Sequence, residues 1–341
     1  MALIHAADLV KHFGGGRSLT DRLFGVEASP VRAVDGVSLT VEEGDIVGIA
    51  GESGCGKTTL GKLLVDLYEP TSGELYFEGT PYDEVTAEQS FRQRVQMIFQ
   101  DPYESLNPRF TVHDAVAEPL KTNDVGEGYE DRRERVCRAL ADAGLEPPEQ
   151  YLDSFPRELS GGEQQRVAIA RALVVNPDFV VADEPVSMLD VSIRAGVLNL
   201  MKDLREEYGL TYVFVSHDLS LIRYMCDKVA IMYLGDVVEF GPTEEVITNP
   251  KHPYTQALLD AVPVPDPSGG RNRSRIEGQI PSPENPPAGC KFHPRCPEYI
   301  GDVCEGIDPD HRAVGEDHRT TCHLYEGGNT PADPASWSSE E

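Results

Sequence analysis

The chain has 341 residues, 40% of them apolar, and carries 30 Lys and Arg against 58 Asp and Glu, a formal charge of -28. That length suggests two folded units rather than one small core. The deficit of basic residues argues against a nucleic-acid-binding face, and so against a DNA-repair ATPase, because no positive surface is left over for phosphates.

The acidic surplus is spread along the chain, and its self-repulsion would weaken a compact fold unless salt screens it. A saline cytoplasm is therefore expected. Thermal stability should rise steeply between low and molar salt, and a flat melting temperature across that series would reject the expectation. No stretch reaches the roughly 18 to 20 apolar residues that span a bilayer, and Asp8, Lys11 and His12 interrupt the opening segment where a signal peptide needs an apolar run. The expected location is the cytosol, so any transport channel must lie on other polypeptides. Seven cysteines without an export signal do not read as a disulfide framework. Packing or metal binding remains for them.

In chain order, DIVGIA at 45–50 is a short apolar run of strand type, followed by GESGCGKT and then by TLGKLLVDLY, whose leucines have helical spacing. EQQRVAIARALVV at 163–175 has the apolar period of a helix. FVVAD at 179–183 and TYVFVS at 211–216 are β-branched and aromatic runs between polar turns, the texture of buried parallel strands. Alternating strands and helices predict an α/β core with its sites at the carboxyl ends of the strands. From about 261 the chain turns rich in Pro, Gly and Ser, in VPVPDPSGGRNRSR and PSPENPPAG, which predicts a linker or strap. The closing GGNTPADPASWSSEE is expected to be disordered.

Gly51 to Thr58 fits G-x4-G-K-[ST] after a strand. Gly51, Gly54 and Gly56 allow backbone N–H groups to converge on phosphate oxygens, with Ser53, Cys55 and Thr59 completing the loop's contacts. Cys55 stands at a variable position and is read as bland rather than reactive. Lys57 would reach the β- and γ-phosphates, Thr58 would hold magnesium, and the helix N-terminus favours the anion. At the end of FVVAD, Asp183 and Glu184 are adjacent carboxylates that point in different directions. Asp183 suits a magnesium shell through water, and Glu184 suits a general base for the attacking water.

LSGGEQQR at 159–166 narrows the reading. Ser160 and Glu163 form an S-x-x-E capping box that leaves N–H groups at a helix N-terminus able to face a phosphate. Leu159, Ser160, Gly161, Gly162, Glu163 and Gln164 match the signature of ABC ATPases, and the chain resembles that family. The resemblance implies an ABC-type ATPase domain, a phosphate-loop core sheet with a helical signature subdomain, over residues 1–245. It also implies a dimer in which this cap faces the γ-phosphate held by the opposite subunit. Phe13 resembles the aromatic that stacks on adenine, across an insertion between Gly14 and Arg32 that a minimal domain lacks. Gln100 resembles the Q-loop glutamine that touches magnesium and the attacking water. Ser187 to Asp190 resembles the D-loop, and His217 the switch histidine at the γ-phosphate.

QDPYESLNPRFTV, HPYTQALL at 252–259 and NPPAGCKFHPRCP extend the resemblance to the ATPases of dipeptide and oligopeptide importers. This implies a C-terminal extension over 246–341, a second, paralogous ABC ATPase, two membrane permease subunits, an extracellular solute-binding protein, and a place at the cytoplasmic face of the membrane. Nickel or another small solute is the alternative cargo. A soluble ABC ATPase is the alternative class, but the interval between Lys57 and Ser160 holds neither the coiled-coil insertion nor the second cassette that class would need.

Cys290, Cys296, Cys304 and Cys322 have spacing C-x5-C-x7-C-x17-C, without the C-x2-C pair of a zinc ribbon. Four thiolates can hold an iron-sulfur cluster, and Pro297 follows Cys296. A [4Fe-4S] cluster is the leading expectation, with zinc or reduced thiols as alternatives and His293, His311, His318 and His323 as possible substitute ligands. The ATPase motifs lie outside this small irregular domain, so nucleotide binding is expected to be independent of it.

Overall fold

In the computed structural model, residues 1–14, 29–261 and 278–325 are described. The insertion at 15–28, the Pro- and Gly-rich linker at 262–277 and the tail from 326 lie outside them. Two sheets organise the described residues. β1 (Ala2–Phe13), β2 (Val31–Glu42), β4 (Ser72–Phe77) and β5 (Thr80–Pro81) form an antiparallel sheet in the order β2-β1-β4-β5.

β3 (Ile46–Ala50), β6 (Val95–Ile98), β7 (Phe179–Asp183), β8 (Thr211–Ser216) and β9 (Lys228–Tyr233) make the parallel part of the second sheet, in the order β9-β3-β8-β7-β6. Strands buried on both faces must be apolar throughout. All five residues of β3 and all five of β7 are buried, which is why these runs carry no alternating polar positions. The three strands expected from sequence are β3, β7 and β8, within one residue of their expected bounds.

The two faces of this sheet pack on different cores. Val47, Ile49, Val181 and Val215 face β1, β2, β4 and the helix Lys57–Leu64. Ile46, Ala182 and Phe214 pack with Met201 and Leu204 of the helix Val191–Tyr208. Each fully buried side chain of this kind contributes about 1.5 to 3 kcal/mol. A third cluster, containing Val116, Leu140, Val167 and Val174, is the core of a helical subdomain built from Val112–Thr122, Gly128–Asp142 and Gly161–Leu173.

The C-terminal segment is irregular, as expected, and builds onto the ATPase sheet. β10 (Asp236–Pro242) pairs antiparallel with β9, and β12 (Arg319–Thr321) pairs with β10 and with β11 (His311–Ala313). Cys290 and Phe292 belong to the same apolar cluster as Ile46 and Tyr212. No helix among the described residues is long and apolar enough to cross a membrane.

Candidate active site

The turn after β3 brings its backbone against β9 and β2 too closely for a side chain at two of its glycines. A Cβ on Gly51 would lie 2.2 Å from the Met232 carbonyl oxygen, and one on Gly56 1.9 Å from that of Ala33. Gly54 and Gly56 also take φ of 80° and 108°, where a left-handed backbone favours glycine. The loop therefore wraps around open space instead of filling it. Lys57 Nζ, a buried ammonium, donates to the carbonyls of Gly51 and Glu52 at 2.9 Å each. Beneath it, burial pushes the Cys55 thiol up, which keeps it neutral and supports its bland reading.

Across the loop, Thr58 Oγ1 donates to Asp183 Oδ1 at 3.1 Å. Burial pushes the Asp183 carboxyl up, against the opposing pull of the Thr58 hydrogen bond. Glu184 turns the other way because its backbone is left-handed, with φ of 45°, and its N–H is held by the Val215 carbonyl at 3.0 Å. A non-glycine residue kept there is strained by about 1 to 3 kcal/mol, a cost that recurs at functional sites. Its carboxylate accepts from Gln100 Nε2 at 3.2 Å and faces His217 Nδ1 at 3.0 Å. A carboxylate only accepts, so the proton of that second bond sits on His217 Nδ1.

These groups surround a cavity of about 620 Å³ lined by Phe13, Ser53, Gly54, Gly56, Lys57, Thr58, Thr59, Gln100, Glu184 and His217, with Val31, Ala33 and Pro283. Phe13 stands at its apolar end, edge-on to Tyr68 at 5.3 Å. The hydroxyl, carboxylate and amide oxygens of Thr58, Asp183 and Gln100 are the hard donors that Mg2+ takes. Of the sequence-predicted loop residues, Gly51 and Cys55 lie behind the lining rather than in it. Ser160, Gly161, Gly162 and Glu163 are elsewhere. Glu163 Oε2 accepts from the Ser160 N–H at 2.8 Å and from its hydroxyl at 2.6 Å, closing the expected capping box at the start of Gly161–Leu173, but none of the four lines this cavity. One chain thus presents a phosphate loop and a signature cap that do not meet.

A family model described as ABC transporter matches residues 34–187, and one described as oligopeptide/dipeptide transporter, C-terminal region, matches 238–304. The oligopeptide transport ATP-binding protein AppF of Bacillus subtilis is 45% identical over 95% of this chain and 97% of its own. The dipeptide transport ATP-binding protein DppF of Escherichia coli is 46% identical over 92% of both chains. The chain belongs to the ABC transporter ATPase family. Its activity is that of an ATPase coupled to transport. Among solved structures, a dimeric ATP-binding cassette in a post-hydrolysis state with ADP and Pi has a TM-score of 0.60 and 31% identity, covering 70% of this chain and 98% of that one.

The cysteine expectation finds no direct support in the packing of the described residues. Cys290, Cys296, Cys304 and Cys322 do line one cavity, together with His252, His293 and His323. Yet among the described residues no group of three or more His, Cys, Asp or Glu side chains is placed to hold a metal ion. The cavity measures about 10 Å³, room for no more than one water. Burial pushes the Cys290 thiol up to about 11 and that of Cys322 up to about 12. As packed, the thiols close on one another and leave no open metal site among the described residues. Of the candidate substitute ligands, His318 is buried against Glu239, with Nε2 2.7 Å from Oε1, and does not line the cavity.

Sequence reasoning missed two contributors from the C-terminal segment. Pro283 lines the nucleotide-sized cavity and its carbonyl accepts from the Arg32 N–H at 3.0 Å. Arg295 reaches Glu52 inside the phosphate loop. The motif NPPAGCKFHPRCP contains Arg295, but nothing in its pattern says what the guanidinium touches.

Proposed function

We propose that this chain is the ATP-hydrolysing subunit of an importer of dipeptides or oligopeptides. It would work with a second ABC ATPase beneath two membrane permease subunits fed by an extracellular solute-binding protein. The observation that carries the ATPase part is the convergence of Lys57, Thr58, Glu184, Gln100 and His217 around one cavity, with Asp183 behind the lining and hydrogen-bonded to Thr58. The peptide cargo is supported by the C-terminal match at 238–304 and by the printed names of the relatives.

In this reading Lys57 and the loop amides bind the phosphates, and Thr58, Asp183 and Gln100 hold Mg2+, which neutralises phosphate charge when bound. Glu184 is the general base, and Gln100 and His217 fix its carboxylate. Phe13 supplies an apolar face for the base of the nucleotide. Ser160 to Glu163 act on the nucleotide of the partner ATPase. This division accounts for a loop and a signature cap that are apart within one chain, and in this reading the subunit works at the cytoplasmic face of the membrane, against the permease subunits.

The deciding experiment is reconstitution of the full transporter in liposomes. ATP hydrolysis should be stimulated by binding protein loaded with a dipeptide or oligopeptide. Stimulation by nickel-loaded binding protein alone would assign the cargo to the alternative class.

The four thiols support a second reading, that the segment holds a [4Fe-4S] cluster. Four free cysteines sharing one cavity favour it. Anaerobically prepared protein should then be brown, with iron and sulfide at about four each per chain, and Cys296→Ser should bleach it. Colourless protein with one zinc would favour zinc. Metal-free protein with four titratable thiols after iron and sulfide are supplied would end the metal reading.

A further inference from the structure

We infer that Arg295 is a positioning residue of the nucleotide site: from the cysteine-bearing segment it anchors and neutralises Glu52 inside the phosphate loop, so the C-terminal segment completes that site. Arg295 Nη1 and Nη2 donate to Glu52 Oε2 and Oε1 at 2.9 and 3.1 Å. This fork is the geometry in which guanidinium and carboxylate bind most strongly. The Arg295 side chain is only 6% exposed and that of Glu52 24%, so solvent reaches the pair from the carboxylate side only and screens it in part. Its Nη1 also lies 3.3 Å from the Tyr233 hydroxyl at the end of β9, which fixes the guanidinium from a second side.

Glu52 is held at its other polar atoms too. Its N–H donates to the Tyr254 hydroxyl at 2.9 Å, and its carbonyl accepts from Lys57 Nζ at 2.9 Å. Tyr254 comes from the helix Pro253–Ala261 and stacks with Tyr233 at 4.6 Å and with Phe292 of the cysteine segment at 5.4 Å. The residue that shares a carbonyl contact with Lys57 is thus clamped from beyond the phosphate-loop motif itself.

The charge is the second part of the argument. A carboxylate inside a loop that receives a polyanion repels it, by kcal/mol rather than tenths at short range and reduced dielectric. Paired with Arg295, Glu52 contributes no net charge. Glu52 is not itself in the cavity lining but adjoins Ser53, which is; without the arginine its carboxylate is left at the edge of the phosphate site with no counter-charge, and the loss exceeds that of the pair alone.

The inference rests on the nucleotide reading of the cavity, and both can be tested on the full-length chain by equilibrium MgATP binding together with KM and kcat. Arg295→Ala should raise the ATP Kd and KM about tenfold or more. Arg295→Lys, which keeps the charge without the fork, should fall between it and the wild type. Adding Glu52→Gln to Arg295→Ala should recover at least about threefold in Kd, because the unpaired carboxylate is gone.

A purely structural arginine predicts otherwise: a lower melting temperature, an unchanged Kd per folded molecule, and a double variant no better than the single one. An Arg295→Lys chain that folds and binds ATP like the wild type, or a double variant without recovery, would overturn the inference. Wild-type chain that binds no ATP would bring down the nucleotide reading and this inference with it.

Discussion

Glu184→Gln should leave ATP binding intact and lower turnover by about two to four orders of magnitude. The carboxylate is the one group at the cavity that can both accept a proton from water and be oriented from two sides, by Gln100 at 3.2 Å and His217 at 3.0 Å. An amide of the same shape keeps a carbonyl for these donors and loses the basicity. Reopening of a closed ATPase pair depends on hydrolysis, so ATP-bound dimer should accumulate when the variant is mixed with MgATP and its partner ATPase. Phosphate release and size-exclusion chromatography measure the two effects. Near-normal hydrolysis would remove Glu184 from the role of base.

Much of this site was legible because its chemistry is encoded locally. The phosphate loop, the carboxylates ending β7 and the histidine after β8 each sit at the carboxyl end of an apolar strand, and strand order alone brings such ends together. Strand geometry predicts that Asp183 and Glu184 point apart, but β7 ends at Asp183 and it is a left-handed backbone, not strand alternation, that aims Glu184. What was hidden is long-range and aperiodic. Arg295 and Glu52 are 243 residues apart, and neither belongs to a pattern that would pair them. The cysteine segment reads as a separate small domain because it is irregular and rich in Pro and Gly. In the fold, Cys290 and Phe292 enter the main core and β12 extends the ATPase sheet, so independence of the nucleotide site from this segment does not follow.

The last expectation separates the frame of the phosphate loop from its charge. Gly56→Ala puts a Cβ 1.9 Å from the Ala33 carbonyl oxygen, at a φ of 108° that a side chain rarely adopts. The backbone must move, because the obstacle is main chain. The cost should be about 2 kcal/mol or more, seen as a lower melting temperature together with lost ATP binding. Lys57→Ala changes no backbone preference and removes hydrogen bonds to two carbonyls that the neighbouring loop can partly re-solvate, so stability should change by about 1 kcal/mol at most. Binding should still weaken by about 10- to 100-fold or more, since a charge-assisted contact to the phosphates is gone. Calorimetric melting and ATP titration on the same two variants give the comparison. If Lys57→Ala melts like wild type and still binds ATP like wild type, the buried ammonium holds the loop's carbonyls and nothing else, and the phosphate role assigned to it is wrong.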